Sequence, residues 1–284
     1  MRFGLALSGG GVRGAAHIGV LKALEENGLR PSWISGTSSG SIVAGLYACG
    51  YSPLEMQDAV MNIGKNIFDT DFMGLLSGLL QLVIRKDMGI EGILKGCKVE
   101  KLLDRLTKGQ MLQDAKLPLA IVAVDICNGQ TVYFISHKEG LQDDPYTMYQ
   151  DNIKICEAIR ASIAIPVLFQ PKIIGGQRLV DGGISDSLPT AILKKMGASR
   201  VVGVNLGYSG QMKRDIDNII EIGSQSLGIM EYHMTQLMNI KADYIINPNI
   251  YDIGLLDLHK IPECIERGYI EAKKNIDIII KTVG

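Results

Sequence analysis

The sequence predicts an α/β fold with a mostly parallel sheet and helices on both of its faces. Two observations predict it. Short apolar runs alternate with longer stretches whose apolar residues recur at helical spacing, the order that builds strand–helix–strand units. The chain of 284 residues is 46% hydrophobic, enough to bury the core of one large α/β domain or two small ones.

Taken in order, FGLAL (3–7) is the first strand and AAHIGVLKALEEN (15–27) its helix; WISG (33–36) and SGSIVAGLYACG (39–50) repeat the pair. LAIVAVDI (119–126) is the next strand. It leads into Asn128-Gly129 between two β-rich runs, a strong hairpin signal, so an antiparallel element is expected there. PYTMYQDNIKICEAIRAS (145–162) and SLPTAILKKMG (187–197) read as helices, and RDIDNIIEIGSQSLGIMEYHMTQLMN (214–239) as a longer one. RVVGVNLG (200–207) and DYIINP (243–248) are strands. KIPECIERGYIEAKKNIDIIIKTV (260–283) is a closing amphipathic helix whose job is packing. No repeat, low-complexity tract or Pro/Ser-rich linker marks a domain boundary.

Charge and cysteine usage narrow the function. Twenty-nine basic and 30 acidic residues give a formal charge of -1 with no block of like charge, which argues against a nucleic-acid partner. Five cysteines, Cys49, Cys97, Cys127, Cys156 and Cys264, are scattered singly without a CxxC pair, so ordinary buried thiols in a reducing cytoplasm are expected. The start, MRFGLALSGGG, lacks the longer apolar core of a secretory signal, and no run reaches the roughly 18 apolar residues of a membrane span.

Glycines punctuate the first turn. Gly9-x-Gly11-x-x-Gly14 satisfies a dinucleotide-binding spacing, but bare amides at a helix start serve any anion, including the oxyanion of an acyl-transfer intermediate. The second turn separates these options. A ribose-binding acid is expected to end the second strand about 20 residues on; the chain instead carries Gly36-Thr37-Ser38-Ser39-Gly40. Gly36-x-Ser38-x-Gly40 between strand and helix is a nucleophile-elbow pattern, whose glycines permit a strained turn that thrusts a serine hydroxyl outward. A P-loop fails as well, because Ala15-Ala16-His17 stands where Lys-Ser/Thr is required.

An activated serine needs a base. Of His17, His137, His233 and His259, only His233 and His259 fall late enough in the chain for an elbow enzyme's histidine, but neither has a convincing setting; His17, among apolar neighbours, reads as core-facing or capping. A better candidate is Asp181, delivered by the short run Leu179-Val180 onto a turn opened by Gly182-Gly183. Asp186 reads as the cap of the SLPTAIL helix.

The ordered set Gly9-Gly10-Gly11-Val12-Arg13-Gly14, Gly36-Thr37-Ser38-Ser39-Gly40 and Asp181-Gly182-Gly183 resembles the patatin-like phospholipase family. Ala161-Ser162-x-Ala164-x-Pro166-x-x-Phe169-x-Pro171 is similar to the family's block ahead of the aspartate. The resemblance covers residues 4–200, the expected catalytic domain, with 201–284 completing the same globular unit. It implies a three-layer α/β/α sandwich and a Ser-Asp dyad lipid acyl hydrolase without a catalytic histidine, metal or organic cofactor. In it Ser38 is the nucleophile, Asp181 the base, and the loop Gly9, Gly10, Gly11, Val12, Arg13 and Gly14 the oxyanion hole; Gly36, Gly40, Gly182 and Gly183 support the turns. Ser39 departs from the alanine common at that position.

The implied partner is a phospholipid, lysophospholipid or neutral acyl ester. Phe72-Met73-Gly74-Leu75-Leu76 through Leu82-Val83-Ile84, closed by Arg85-Lys86, is too short to span a bilayer. Within 67–96 it reads either as a buried core segment or as a lid touching the inner membrane surface through 72–86. Three other readings stay open: a catalytically silent module of the same fold, an acyltransferase using the same dyad, and a nucleotide-binding protein disfavoured by the missing acid. Oligomeric state is not legible.

Overall fold

A computed structural model describes residues 1–68, 95–166, 168–207, 219–237, 241–255 and 257–284. The run 72–86 and most of 67–96 lie outside the described residues, so the core and lid readings are not addressed by it.

Five strands follow one another across the sheet in parallel: β3 (Leu119–Asp125), β2 (Trp33–Thr37), β1 (Gly4–Leu7), β8 (Val201–Val204) and β9 (Tyr244–Ile246). The central ones are buried residue after residue, as apolar runs without alternation require when both faces are covered. The Asn128-Gly129 signal is realised: β4 (Thr131–Ile135) pairs antiparallel with β3, and Gly129 takes φ 75° in the turn.

One face of the sheet carries Leu5, Leu7 and Ile34 into the main core with α1 (Ala16–Glu26) and α2 (Ser39–Ala48). Ala6 points the other way, into a smaller cluster with Trp33, Leu188, Leu193 and Val201, roofed by α6 (Thr190–Lys195). Helices therefore cover both faces, the α/β architecture expected. The remaining helices among the described residues are α3 (Pro53–Phe68), α4 (Cys97–Leu106), α5 (Ile155–Ser162), α7 (Ile219–Leu237), α8 (Ile261–Lys274) and α9 (Ile276–Val283). Among the described residues, no helix is long and apolar enough to cross a membrane.

Two elements differ from expectation. The stretch 145–162 is not one helix: β5 (Thr147–Gln150) pairs parallel with β4, and only α5 is helical. Likewise 260–283 is two helices, broken at Asn275, whose side-chain amide donates to Glu271 O at 2.8 Å and whose φ of -103° leaves the helical range.

One detail of register positions the site. β4 occupies one edge of β3, so β2 and the short antiparallel β7 (Gln177–Asp181) share the other. Val122 pairs with Thr37 and the next residue, Ala123, with Asp181. The end of β2 and the end of β7 therefore meet on adjacent residues of one strand. The short β6 (Lys172–Ile174) completes this hairpin with β7.

Candidate active site

Ser38 stands between the last residue of β2 and the first of α2 with φ 52° and ψ -125°, a region of backbone space that costs a non-glycine residue about 1–3 kcal/mol. Its neighbours explain how the bend persists. A methyl group on Gly36 would lie 2.6 Å from Ser41 N, and one on Gly40 would lie 2.6 Å from Ser8 O, so neither position admits a side chain. The Ser38 carbonyl accepts from Ser41 N–H (2.9 Å) and Ser41 Oγ (2.6 Å). The Ser38 N–H donates to the buried Ser162 Oγ at 2.9 Å.

Asp181 ends β7. Its N–H donates to Ala164 O (3.0 Å), its Oδ1 accepts from Gly183 N–H (2.9 Å), and its Oδ2 is buried with no partner. Gly182 packs against the backbone of Val122, with no room for a β-carbon. Ser38 is 7% exposed and Asp181 6%, so the pair is nearly dry. Desolvation pushes the Asp181 carboxyl up from 3.8 to about 6, against the opposing pull of the Ser38 hydroxyl and Gly183 N–H. Ser38 thus faces the carboxylate closely enough to bias its charge, yet no bond of full hydrogen-bonding geometry joins the two side chains.

The glycine loop lies against the Ser38 elbow. A methyl on Gly9 would sit 3.3 Å from Ser38 Cβ, and Gly14 packs directly on Ser39, whose buried hydroxyl has no partner. The amides of the loop divide into two sets. Gly9 N–H donates to Ser187 O (3.3 Å), Val12 N–H to Leu255 O (2.9 Å) and Arg13 N–H to Gly10 O (3.1 Å). Among the described residues, the amides of Gly10 and Gly11 have no acceptor. Arg13 spends its guanidinium on the C-terminal segment, donating to Ile253 O (2.7 Å) and Tyr251 O (3.2 Å). Of the six loop residues, Gly10 and Gly11 have amides to offer an anion, while Val12 and Arg13 anchor the loop.

The histidines are elsewhere. His17 is fully buried; its Nε2–H donates to Ser8 O at 2.8 Å, and desolvation pushes it down to about 4, so it stays neutral. His233 and His259 are exposed, on α7 and on a short turn before α8. Among the described residues, no histidine hydrogen-bonds Ser38 or Asp181. Asp186 does not cap a helix: α6 starts after Pro189 without a side-chain cap, and the Asp186 carboxylate instead accepts from Tyr133 Oη at 2.7 Å. Sequence reasoning noticed Ser162 only as part of a motif, because a hydrogen bond spanning 124 positions leaves no local signal.

Comparison with known proteins identifies a family and structures of similar fold. The family profile described as patatin-like phospholipase matches residues 5–194. An NTE family protein of Mycobacterium tuberculosis is 32% identical over 208 residues, 73% of this chain and 50% of that protein. The chain thus spans about half the length of this relative. A protein named lysophospholipase NTE1 from Debaryomyces hansenii is 28% identical over 72% of this chain and 12% of its own length. Among solved structures, VipD from Legionella pneumophila superposes with a TM-score of 0.51 at 16% identity, covering 97% of this chain and 67% of VipD, a likeness of fold. On this match over residues 5–194, the chain belongs to the patatin-like phospholipase family.

Proposed function

We propose that this protein is a serine hydrolase of lipid acyl esters, cleaving phospholipid or lysophospholipid through a Ser38–Asp181 dyad and an acyl-enzyme. The observation that carries the reading is the nearly dry pairing of a serine on a strained elbow with a carboxylate raised to about 6, beside two amides without acceptors among the described residues. A relative named as a lysophospholipase supports the substrate class.

The chemistry runs in two halves. Ser38 Oγ attacks the acyl carbonyl carbon while its proton passes to Asp181 Oδ2. A carboxyl near 6 is a stronger base than one at 3.8 and is still ionised at neutral pH, the compromise general-base catalysis requires. The carbonyl oxygen becomes an oxyanion that meets the Gly10 and Gly11 amides without reorganisation, each such donor contributing on the order of 3 kcal/mol. Collapse expels the alcohol portion of the lipid, which takes the proton from Asp181. Water then attacks the acyl-Ser38 ester, giving its proton to Asp181, and the second collapse returns that proton to Ser38 and releases the fatty acid.

A fluorophosphonate probe tests this directly. It is expected to label the wild type at Ser38 and to leave Ser38→Ala unlabelled, with hydrolysis of a medium-chain p-nitrophenyl ester lost in parallel. Undiminished hydrolysis by Ser38→Ala overturns the assignment.

A further inference from the structure

We propose that Asp186 and Tyr133 form a clip that holds the Asp181 turn in register with the Ser38 elbow, which makes both positioning residues for the reaction. The proposal rests on the dyad reading above.

The turn after Asp181 folds back on itself: Ser185 N–H and Asp186 N–H both donate to Gly182 O, at 3.0 and 2.9 Å. This brings Asp186 against two strands at once. Its backbone carbonyl accepts from Thr37 Oγ1 at 2.7 Å, and Thr37 is the residue immediately before Ser38. Its carboxylate Oδ2 accepts from Tyr133 Oη at 2.7 Å, and Tyr133 lies on β4 opposite Val122 of β3. Val122 and Ala123 are the residues whose other edge pairs with Thr37 and Asp181. One side chain and one carbonyl therefore tie the base-bearing turn to the nucleophile strand and to the sheet beneath it.

The clip is braced from outside. The Tyr133 ring stacks on Tyr149 with centroids 5.7 Å apart and planes 19° from parallel. Lys195 Nζ donates to Tyr149 Oη at 3.0 Å. Asp186 is buried, where an uncompensated carboxylate is costly, and the Tyr133 hydroxyl supplies its partner. Burial raises the Tyr133 hydroxyl well above its ordinary range, so it stays a donor to Asp186 into alkaline solution. Neither group has a hydrogen bond to Ser38 or Asp181, so any effect on the reaction passes through geometry.

Three variants test the clip, each measured for kcat and KM on a p-nitrophenyl ester, for the rate of fluorophosphonate labelling of Ser38, and for thermal unfolding. Tyr133→Phe is expected to lower kcat and the labelling rate at least tenfold with KM within twofold and a cooperative melt retained. Thr37→Val, at the other end of the clip, is expected to do the same. Asp186→Asn keeps an acceptor for Tyr133 and is expected to stay within threefold of wild type. A folded Tyr133→Phe or Thr37→Val with wild-type kcat and labelling rate overturns the clip. A loss confined to melting temperature, with rates per folded molecule unchanged, overturns it too. Full hydrolysis by Ser38→Ala in the same assay overturns the site assignment beneath it, a separate and recognisable failure.

Discussion

Asp181 carries two opposite consequences of its burial. For the proposed chemistry, kcat/KM is expected to be flat above neutrality, to reach half its plateau near pH 6 and to fall tenfold per unit below it, since only the ionised carboxylate accepts the Ser38 proton. For stability the sign reverses. A folded-state value near 6 against 3.8 means the folded protein binds this proton more tightly than the unfolded chain, so the group's contribution is full below about pH 4 and is lost as pH rises through 6. Asp181→Asn therefore is expected to abolish hydrolysis yet melt higher than wild type at pH 8, by on the order of 2 kcal/mol, with the advantage gone at pH 4. Calorimetry at the two pH values checks it; an equal or lower melting temperature at pH 8 contradicts the desolvation account. At this scale much was legible in the sequence. Ser38 is legible because its GxSxG spacing falls between a strand-like and a helix-like run, and Asp181 because Gly182-Gly183 follows a short apolar run. Asp186 was misread as a cap because its partner, Tyr133, stands 53 positions away and a local pattern cannot reveal it.

Among elements, the segment running from the end of α5 into the following turn does more than connect. Ser162 Oγ accepts the Ser38 N–H, and two residues later Ala164 O accepts the Asp181 N–H, so one short stretch of backbone is bonded to both members of the proposed dyad. Ser162→Ala leaves the Ser38 amide buried without its acceptor, a loss of about 1–3 kcal/mol. Because the same bond helps hold φ 52° at Ser38, kcat is expected to fall about tenfold while KM stays within twofold; a variant that loses stability but keeps kcat would show that the elbow holds without it. The central strands and their helices were legible because period and turn signals agree there. The error at 145–162 has a physical source: Thr147-Met148-Tyr149-Gln150 suits either period, and pairing with β4 decides for strand. The break at Asn275 turns on a single side chain competing for a helical carbonyl, which amphipathic spacing across it conceals.

At the scale of the whole molecule, the family profile ends at residue 194, yet the glycine loop is anchored by chain far beyond it. Leu255 O takes the Val12 amide, Ile253 O and Tyr251 O take the Arg13 guanidinium, and a β-carbon on Gly11 would lie 2.5 Å from Leu255 O. Just after this clamp, α8 crosses α1 in backbone contact: Gly268 lies on the Ala16 carbonyl and Gly19 on the Ile265 carbonyl, with no room for a β-carbon at either. The closing helix was read as packing, and an isolated glycine within a helical pattern gives no hint of what it touches. Gly268→Ala separates these two helices where α1 leaves the loop, and because both surfaces are backbone neither can yield by changing a rotamer. The expected cost is about 2–3 kcal/mol, with kcat reduced as well because Ala16 directly follows the turn Gly11–Ala15, whose first residue and the Gly10 before it carry the two open amides. Gly223→Ala on α7, where an added methyl meets nothing within 4 Å among the described residues, is the matched control: helix propensity predicts a gain of about 0.5–1 kcal/mol there and unchanged kinetics. Chemical denaturation with parallel ester kinetics separates the pair, and equal behaviour of the two variants would mean that the C-terminal helices do not set the loop.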